Sequence, residues 1–312
     1  MKAIIFGGTG YIGSHIIEQL ISAGYMVTIA TQDIDNISFL RDMAVNIVQF
    51  DKTDISSIQQ IIKGHDVVYN LSIEDKLHNS FLEDIEEEID FTKELIIYSS
   101  NTKISKFIHL STILIYDFQK EDNIDEFYVP NPQYQIQKLG IHWEKVVREI
   151  GQQTGIKTCI LRPAISIGTR DKSSFFTRLL ESHSNNLYPL IEKGNPEVSL
   201  IDARDIGRAM AWLGSYDCNN ENDSVFLVKG FNTTWYQLKK AIDDVIGKES
   251  QTVNLPKNLT SEQIEKYNLT PFTVKAFSTN RLINDNRIRK KGFTTKYKLE
   301  DTIRNTIEYY LK

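Results

Sequence analysis

Three polar side chains in this 312-residue chain have the types and spacing to move a proton to or from an oxygen. Tyr134 and Lys138 stand four apart in Tyr-Gln-Ile-Gln-Lys. On a helix, positions i and i+4 share a face, so a phenol would sit beside an ammonium that favours its ionised form and suits it to acid–base work. Thr112, in the run FIHLSTILIY (107–116), falls just past an apolar strand, where its hydroxyl can bond a substrate oxygen. Tyr-x-x-x-Lys occurs three times, at Tyr116/Lys120, Tyr134/Lys138 and Tyr236/Lys240, and a chain with 14 tyrosines supplies such pairs by chance. Placement selects the middle one. Tyr116/Lys120 starts as a strand ends and runs into an acidic loop, and Tyr236/Lys240 lies in a helix of the second half. Only Tyr134/Lys138 falls between the Thr112 strand and the next strand, 157–161.

A second group of residues could hold a partner for that chemistry. The chain opens MKAIIFGGTGYIGSH: an apolar strand from Lys2 to Phe6, glycines at 7, 10 and 13, and isoleucines at helical spacing from Tyr11 onward. A glycine-rich turn between a strand and a helix N-terminus lets backbone N–H groups approach a pyrophosphate, whose charge the helix dipole favours. Gly7, Gly10, Tyr11, Ile12 and Gly13 are the candidates for that loop. A hydride donor held there would complete the parts for carbonyl reduction or alcohol oxidation.

Alternating elements must position these groups. Short β-rich runs at 26–30, 46–50, 66–71, 106–110 and 157–161 alternate with helical segments at 14–23, 56–63, 87–101 and 137–149. Such alternation implies an α/β fold, a Rossmann-type doubly wound parallel sheet whose ligands bind beyond the carboxyl ends of the strands. After Pro163 the rhythm changes. Residues 171–192 read as a helix and then a loop, 197–201 and 225–229 as strands, and 203–214 and 235–246 as helices. The last sixty residues read as mostly helical. The expected division is a dinucleotide-binding domain over 1–168, with 198–230 returning to it, and a smaller C-terminal substrate lobe built from 169–197 and 231–312.

The net charge of −5 gives no basic footprint for nucleic acid or an anionic membrane, and no apolar run approaches the roughly 20 residues that cross a bilayer. Cys159 and Cys218 suit a reducing compartment and lack metal-ligand neighbours. A strand that starts at residue 2 leaves no room for a signal peptide, so the expectation is a soluble, cytoplasmic protein with a small-molecule substrate and no metal.

With these residues in view, the chain resembles the extended short-chain dehydrogenases/reductases, the NAD-dependent epimerase/dehydratase family. The likeness covers GGTGYIG, Asp51-Lys52-Thr53-Asp54 after the third strand, VVYNLS, LSTILIY, YQIQK, the Leu161–Pro163 LRP, LIDARDIGRA at 200–209 and the closing helix 299–309. It implies Thr112, Tyr134 and Lys138 as the catalytic trio, Lys138 and Pro163 against the cofactor, and Asp51 near the adenine. Dimerisation through helices 87–101 and 137–149, common in the family, is left open.

The departures bear on substrate and cofactor. Relatives acting on nucleotide sugars often carry Asn where this chain has Ile165 and Arg where it has Val198, and dehydratases place Asp-Glu where it has Ile113-Leu114. Each lost charge-assisted bond is worth about 1.5–3 kcal/mol. LIDARDIGRA is similar to ketoreductases of the dihydroflavonol-reductase type, which reduce less charged carbonyls. A nucleotide-sugar epimerase with tightly held NAD, and a dinucleotide-sensing protein without chemistry, are the alternatives. After the second strand, Thr31 stands at the usual Asp position and Gln32 at the usual Arg position. These side chains tolerate NAD or NADP, with the missing carboxylate tipping the expectation to NADP. His109 is expected as a packed core histidine, His15 as facing solvent, and 83–90 as a solvated acidic face. Arg162 is expected to act either as a structural hydrogen-bonder or as a substrate contact.

Overall fold

The computed structural model describes residues 1–312 except 35, 36, 41, 73–81, 173, 218–223, 268 and 312, so Cys218 lies outside the described residues, as does the side chain of Glu83. The first strand, β1 (Lys2–Phe6), is a continuous apolar run with Ala3, Ile4, Ile5 and Phe6 all buried, the pattern of a strand covered on both faces. It leads through the glycine turn into α1 (Tyr11–Ser22), which buries Ile12, Ile16, Ile17 and Leu20. The chain then continues β2 (Met26–Thr31), β3 (Val45–Gln49), α2 (Ile55–Ile62), β4 (Val67–Asn70), α3 (Leu82–Ser100), β5 (Lys106–Leu110), α4 (Gln135–Thr154) and β6 (Lys157–Pro163).

Strand β1 pairs in parallel with β2 on one side and β4 on the other, and β2–β3, β4–β5 and β5–β6 are parallel as well. With β10 (Ser224–Val228) the order across the seven-stranded sheet is β10-β6-β5-β4-β1-β2-β3. The winding reverses at β1 and β4, and the turn after β1 opens there. This is the doubly wound sheet expected from the alternation.

The chain divides into two compact units, 1–115 with 135–163 and 206–226, and 116–134 with 164–205 and 227–312. The first holds a core around Phe6, Phe50, Phe91, Phe107 and Trp143. Its edge is completed by α6 (Ala203–Ser215), whose residues 210–216 receive three side chains. Tyr25 donates to the Ala211 carbonyl and Tyr69 to that of Met210. Lys106 donates to Leu213 O at 2.8 Å, to Gly214 O and to Tyr216 O. Lys106 is thus a buried cation at the C-terminus of a helix, where the dipole favours it.

The second unit has its own core around Phe176, Tyr188, Trp235, Leu238 and Ile303. It contains β7 (Ile165–Ile167), α5 (Phe175–Ser184), β8 (Tyr188–Ile191), β9 (Glu197–Asp202), β11 (Phe231–Thr234), α7 (Trp235–Ile246), β12 (Thr252–Leu255) and four further helices to Tyr310. Strands β11, β9 and β7 form a three-stranded sheet, and β12 pairs in parallel with β8. These units differ from a division at residue 168. Strand β9 pairs with β7 and β11 and stays in the second unit, so the return to the first unit is 206–226. Residues 188–191, read as loop from the sequence, form a strand. Among the described residues no helix is long and apolar enough to cross a membrane, and no cluster of three metal-ligating side chains occurs.

Candidate active site

The glycine loop packs so closely on its own chain that it needs bare backbone. Gly7 has φ of +78°, and a Cβ there would lie 2.8 Å from Ser72 N and 2.9 Å from Leu71 C, at the end of β4. A Cβ on Gly13 would lie 2.6 Å from Gly8 O. Both close approaches need glycine. Gly10 is the N-cap of α1 and offers no side chain to its N–H groups. Tyr11, Ile12 and Gly13 form the first turn of that helix, so its positive end faces the loop. The charge of this bare helix end suits an anion such as a pyrophosphate.

Thr31 closes β2, with a hydroxyl that donates to the Asp33 carbonyl at 2.9 Å and accepts from the Asp33 N–H at 3.2 Å. That tie fixes the backbone of the turn and leaves the Gln32 and Asp33 side chains exposed. Past β3, Asp51 is exposed, and hydrogen bonds from the Thr53 backbone and hydroxyl hold its carboxyl below the usual range. Lys52 pairs with Glu88, a buried residue on α3. The acidic run is therefore not uniformly solvated. Glu86, Glu87 and Asp90 are exposed, while Glu88 turns inward to Lys52.

Thr112 is half-buried one residue past Ser111, and its hydroxyl accepts from the Leu114 N–H at 3.1 Å. Beside it lies a network that sequence reasoning did not assemble. Arg162, at the end of β6, forks onto Glu144 of α4, with Nε to Oε1 at 2.8 Å and Nη2 to Oε2 at 2.5 Å. Ser111 donates to the same Oε1. Burial alone would raise the Glu144 carboxyl, but the Arg162 charge and the hydrogen bonds from Arg162 and Ser111 outweigh it and hold it ionised. His109 is fully buried as expected, and neither ring nitrogen has a hydrogen-bond partner among the described residues. Burial pushes it down to about 4, against the pull of Glu144, so it is neutral. His15, expected to face solvent, is instead buried on α1 beside Glu18 and Tyr11.

The rotation of α4 decides where Lys138 points. Gln137, Gly140, Glu144, Val147 and Gly151 are buried at steps of three and four. Lys138, His142, Lys145 and Glu149 are exposed at the same steps, and Lys145 and Glu149 pair at 3.7 Å. Six residues separate Lys138 from Glu144, which at 3.6 residues per turn sets them about 120° apart around the helix. Lys138 therefore stands on the solvent-open stripe, about a third of a turn from the face that meets Ser111. Tyr134 immediately precedes α4. Its ring is half-buried and packs edge-on against Phe118 and Phe272, centroids 5.8 and 5.2 Å away. Arg281, also buried, lays its guanidinium 4.5 Å from the Phe118 centroid. Neither Phe272 nor Arg281 carried a signal in the sequence.

Pro163 ends β6 and is buried. Val198 is wholly buried in the core of the second unit, so this position offers nothing to a ligand, and Ile165 is half-buried on β7. Asp202 takes a two-pronged contact from Arg204, and Asp205 accepts from the Lys296 and Tyr297 N–H groups. These polar residues pair with neighbours.

A family model described as the NAD dependent epimerase/dehydratase family matches residues 3–227. The 40 kDa subunit of mitochondrial NADH-ubiquinone oxidoreductase from Neurospora crassa is 28% identical over 264 residues, 82% of this chain and 63% of that protein. A decarboxylating sterol-4-alpha-carboxylate 3-dehydrogenase from Dictyostelium discoideum is 26% identical over 54% of this chain and 55% of that protein. The chain thus spans less than two thirds of either relative's length. The UDP-glucuronic acid 4-epimerase of Bacillus cereus, solved with UDP-glucuronic acid and NAD, shares the fold at a TM-score of 0.80 and 19% identity, over 99% of this chain and 98% of that one. The matched residues 3–227 run from the strand before the glycine cradle through the Thr112 and Arg162 strands, and the chain belongs to the NAD-dependent epimerase/dehydratase family of enzymes.

Proposed function

We propose that this chain is a nicotinamide-dinucleotide-dependent oxidoreductase acting on a carbonyl or secondary alcohol of a small molecule. The observation that carries the reading is the glycine cradle at the reversal point of a parallel sheet, with Thr112 just past β5, one strand beyond β4 on the same sheet. The dinucleotide, when bound, supplies the hydride. In the reductive direction Tyr134 gives the carbonyl oxygen a proton as the carbon gains that hydride, and Thr112 orients the oxygen. Full turnover in Tyr134→Phe would overturn the assignment; the expected result is loss of turnover with NADH binding retained.

Cofactor form follows from the end of β2. Asp33 is exposed there on a fixed turn, and a carboxylate at that position opposes a 2′-phosphate. This favours NAD over the NADP suggested by Thr31 and Gln32 alone. NADH is expected to bind at least about tenfold tighter than NADPH, one like-charge contact's worth, and Asp33→Ser to narrow the gap. Equal affinities in the parent chain would refute it.

A second reading is a chain that holds a dinucleotide without turning it over. Tight NADH binding with no oxidation across a panel of ketones and aldehydes would establish that one. The buried Val198 disfavours a nucleotide-sugar epimerase, and micromolar binding of UDP-glucuronic acid by calorimetry would restore it.

A further inference from the structure

A carboxylate, a guanidinium and a hydroxyl are buried together where β5 and β6 end, and the proton-transfer set uses none of them. Glu144 is 1% exposed, Ser111 2% and Arg162 6%. Each comes from a different piece of chain: α4, the turn after β5, and the last residues of β6. Removing an ion pair from water is costly and is offset only by near-ideal geometry, so such a pair is weak evidence for stability. It is better evidence for placement, because a forked contact tolerates little rotation.

The geometry specifies what is placed. Ser111 is held twice, by its hydroxyl on Glu144 and by its N–H on the Leu161 carbonyl at 2.7 Å. Thr112 is the next residue. Glu144 is also the one charged side chain on the buried stripe of α4, and turning the helix by one residue, about 100°, would carry its carboxylate away from both partners. The neighbouring imidazole of His109 stays neutral and adds no competing charge.

We infer that Glu144 is a positioning residue: anchored by Arg162, it fixes the rotation of α4 and the height of the Ser111–Thr112 turn. Which α4 side chains approach the site is then set by this buried pair and not by the Tyr134/Lys138 spacing. The inference rests on the reading that Thr112 belongs to the site, but its test needs no turnover.

The test uses methyl-labelled threonine NMR and amide exchange on the full chain, comparing Ser111→Ala, Glu144→Gln and Ser99→Ala. Ser99 is an equally buried hydroxyl, bonded to the Leu95 carbonyl on α3. Glu144→Gln is expected to displace the Thr112 methyl resonance, and both Glu144→Gln and Ser111→Ala to speed exchange of the residue-111 amide by about tenfold or more, the size of one charge-assisted hydrogen bond. Ser99→Ala is expected to leave both unchanged even where it lowers the melting temperature. Should Glu144→Gln fail to fold, Ser111→Ala carries the test alone. A residue-111 amide that exchanges in Ser111→Ala as it does in the parent chain, or a Thr112 resonance that stays in place in a folded Glu144→Gln, overturns the inference. NADH binding without carbonyl reduction would end the hydride-transfer reading and leave this one standing.

Discussion

Replacing Gly7 and Gly24 by alanine, one at a time, separates backbone strain from close packing in the glycine loop. The two share a left-handed φ, +78° and +81°. At Gly24 an added Cβ meets nothing within 4 Å, whereas at Gly7 it lies 2.8 Å from Ser72 N and 2.9 Å from Leu71 C. Left-handed backbone costs an alanine about 1–2 kcal/mol, and forcing a methyl against fixed atoms adds about 1–3 kcal/mol. Gly24→Ala should therefore lower stability by about 1–2 kcal/mol and Gly7→Ala by roughly 2–5 kcal/mol. The Gly7 strain cannot relax locally, because the Leu71 N–H is bonded to the Phe6 carbonyl at 2.8 Å. The loop must move, and NADH affinity, read by fluorescence titration, should fall at least about tenfold for Gly7→Ala. For Gly24→Ala it should stay within about twofold. Urea unfolding supplies the stability comparison. If Gly7→Ala proves no worse than Gly24→Ala in both assays, the close approach is not what holds the loop.

Two further outcomes follow from buried polar groups. His109 takes its proton only near pH 4 in the folded chain, but near 6.5 when unfolded. Stability is therefore complete above pH 6.5 and falls toward pH 4 by up to about 1.4 kcal/mol per unit. His109→Leu should flatten that acid limb, and an identical loss between pH 7 and pH 5 in both chains would contradict the assignment. Lys106→Met leaves the Leu213, Gly214 and Tyr216 carbonyls without their cation and should cost roughly 3 kcal/mol. Amide exchange should accelerate through the last turn of α6, and unaltered protection there would show that the carbonyls do not depend on Lys106.

The first unit was legible because its signals are long and redundant. Strand β5 lies at 106–110 as read, since five consecutive buried residues between polar boundaries permit little else. In the second unit, helix α7 begins and ends at 235 and 246 as read, under a Thr234–Gln237 capping box and a left-handed Gly247. Strands β7, β8, β11 and β12 were not foreseen: they are three or four residues long, and β8 contains Pro189. Runs so short carry too few alternations to stand out from loop. The site was half legible. The glycine spacing marked the cradle, but Tyr-x-x-x-Lys reports only that two side chains share a helical face, and says nothing of which face is buried. That signal was present in Leu139, Trp143 and Val147, whose apolar stripe lies away from Lys138. The buried ion pair was hidden, because Glu144 and Arg162 belong to elements whose approach no local pattern encodes.

The late arrival of β10 has a consequence for synthesis. Strand β6 is finished at residue 163, yet its neighbour on the outer side begins only at residue 224. Until that point emerges from the ribosome, β6 presents an unpaired edge carrying Cys159, Ile160 and Leu161, and until residue 216 emerges Lys106 lacks the helix end it bonds. An open apolar edge is a template for pairing with another chain. A nascent chain stalled between residues 163 and 224 is accordingly the species that needs chaperone cover, and a fragment cut at the end of β6 should aggregate instead of folding as an independent nucleotide-binding domain.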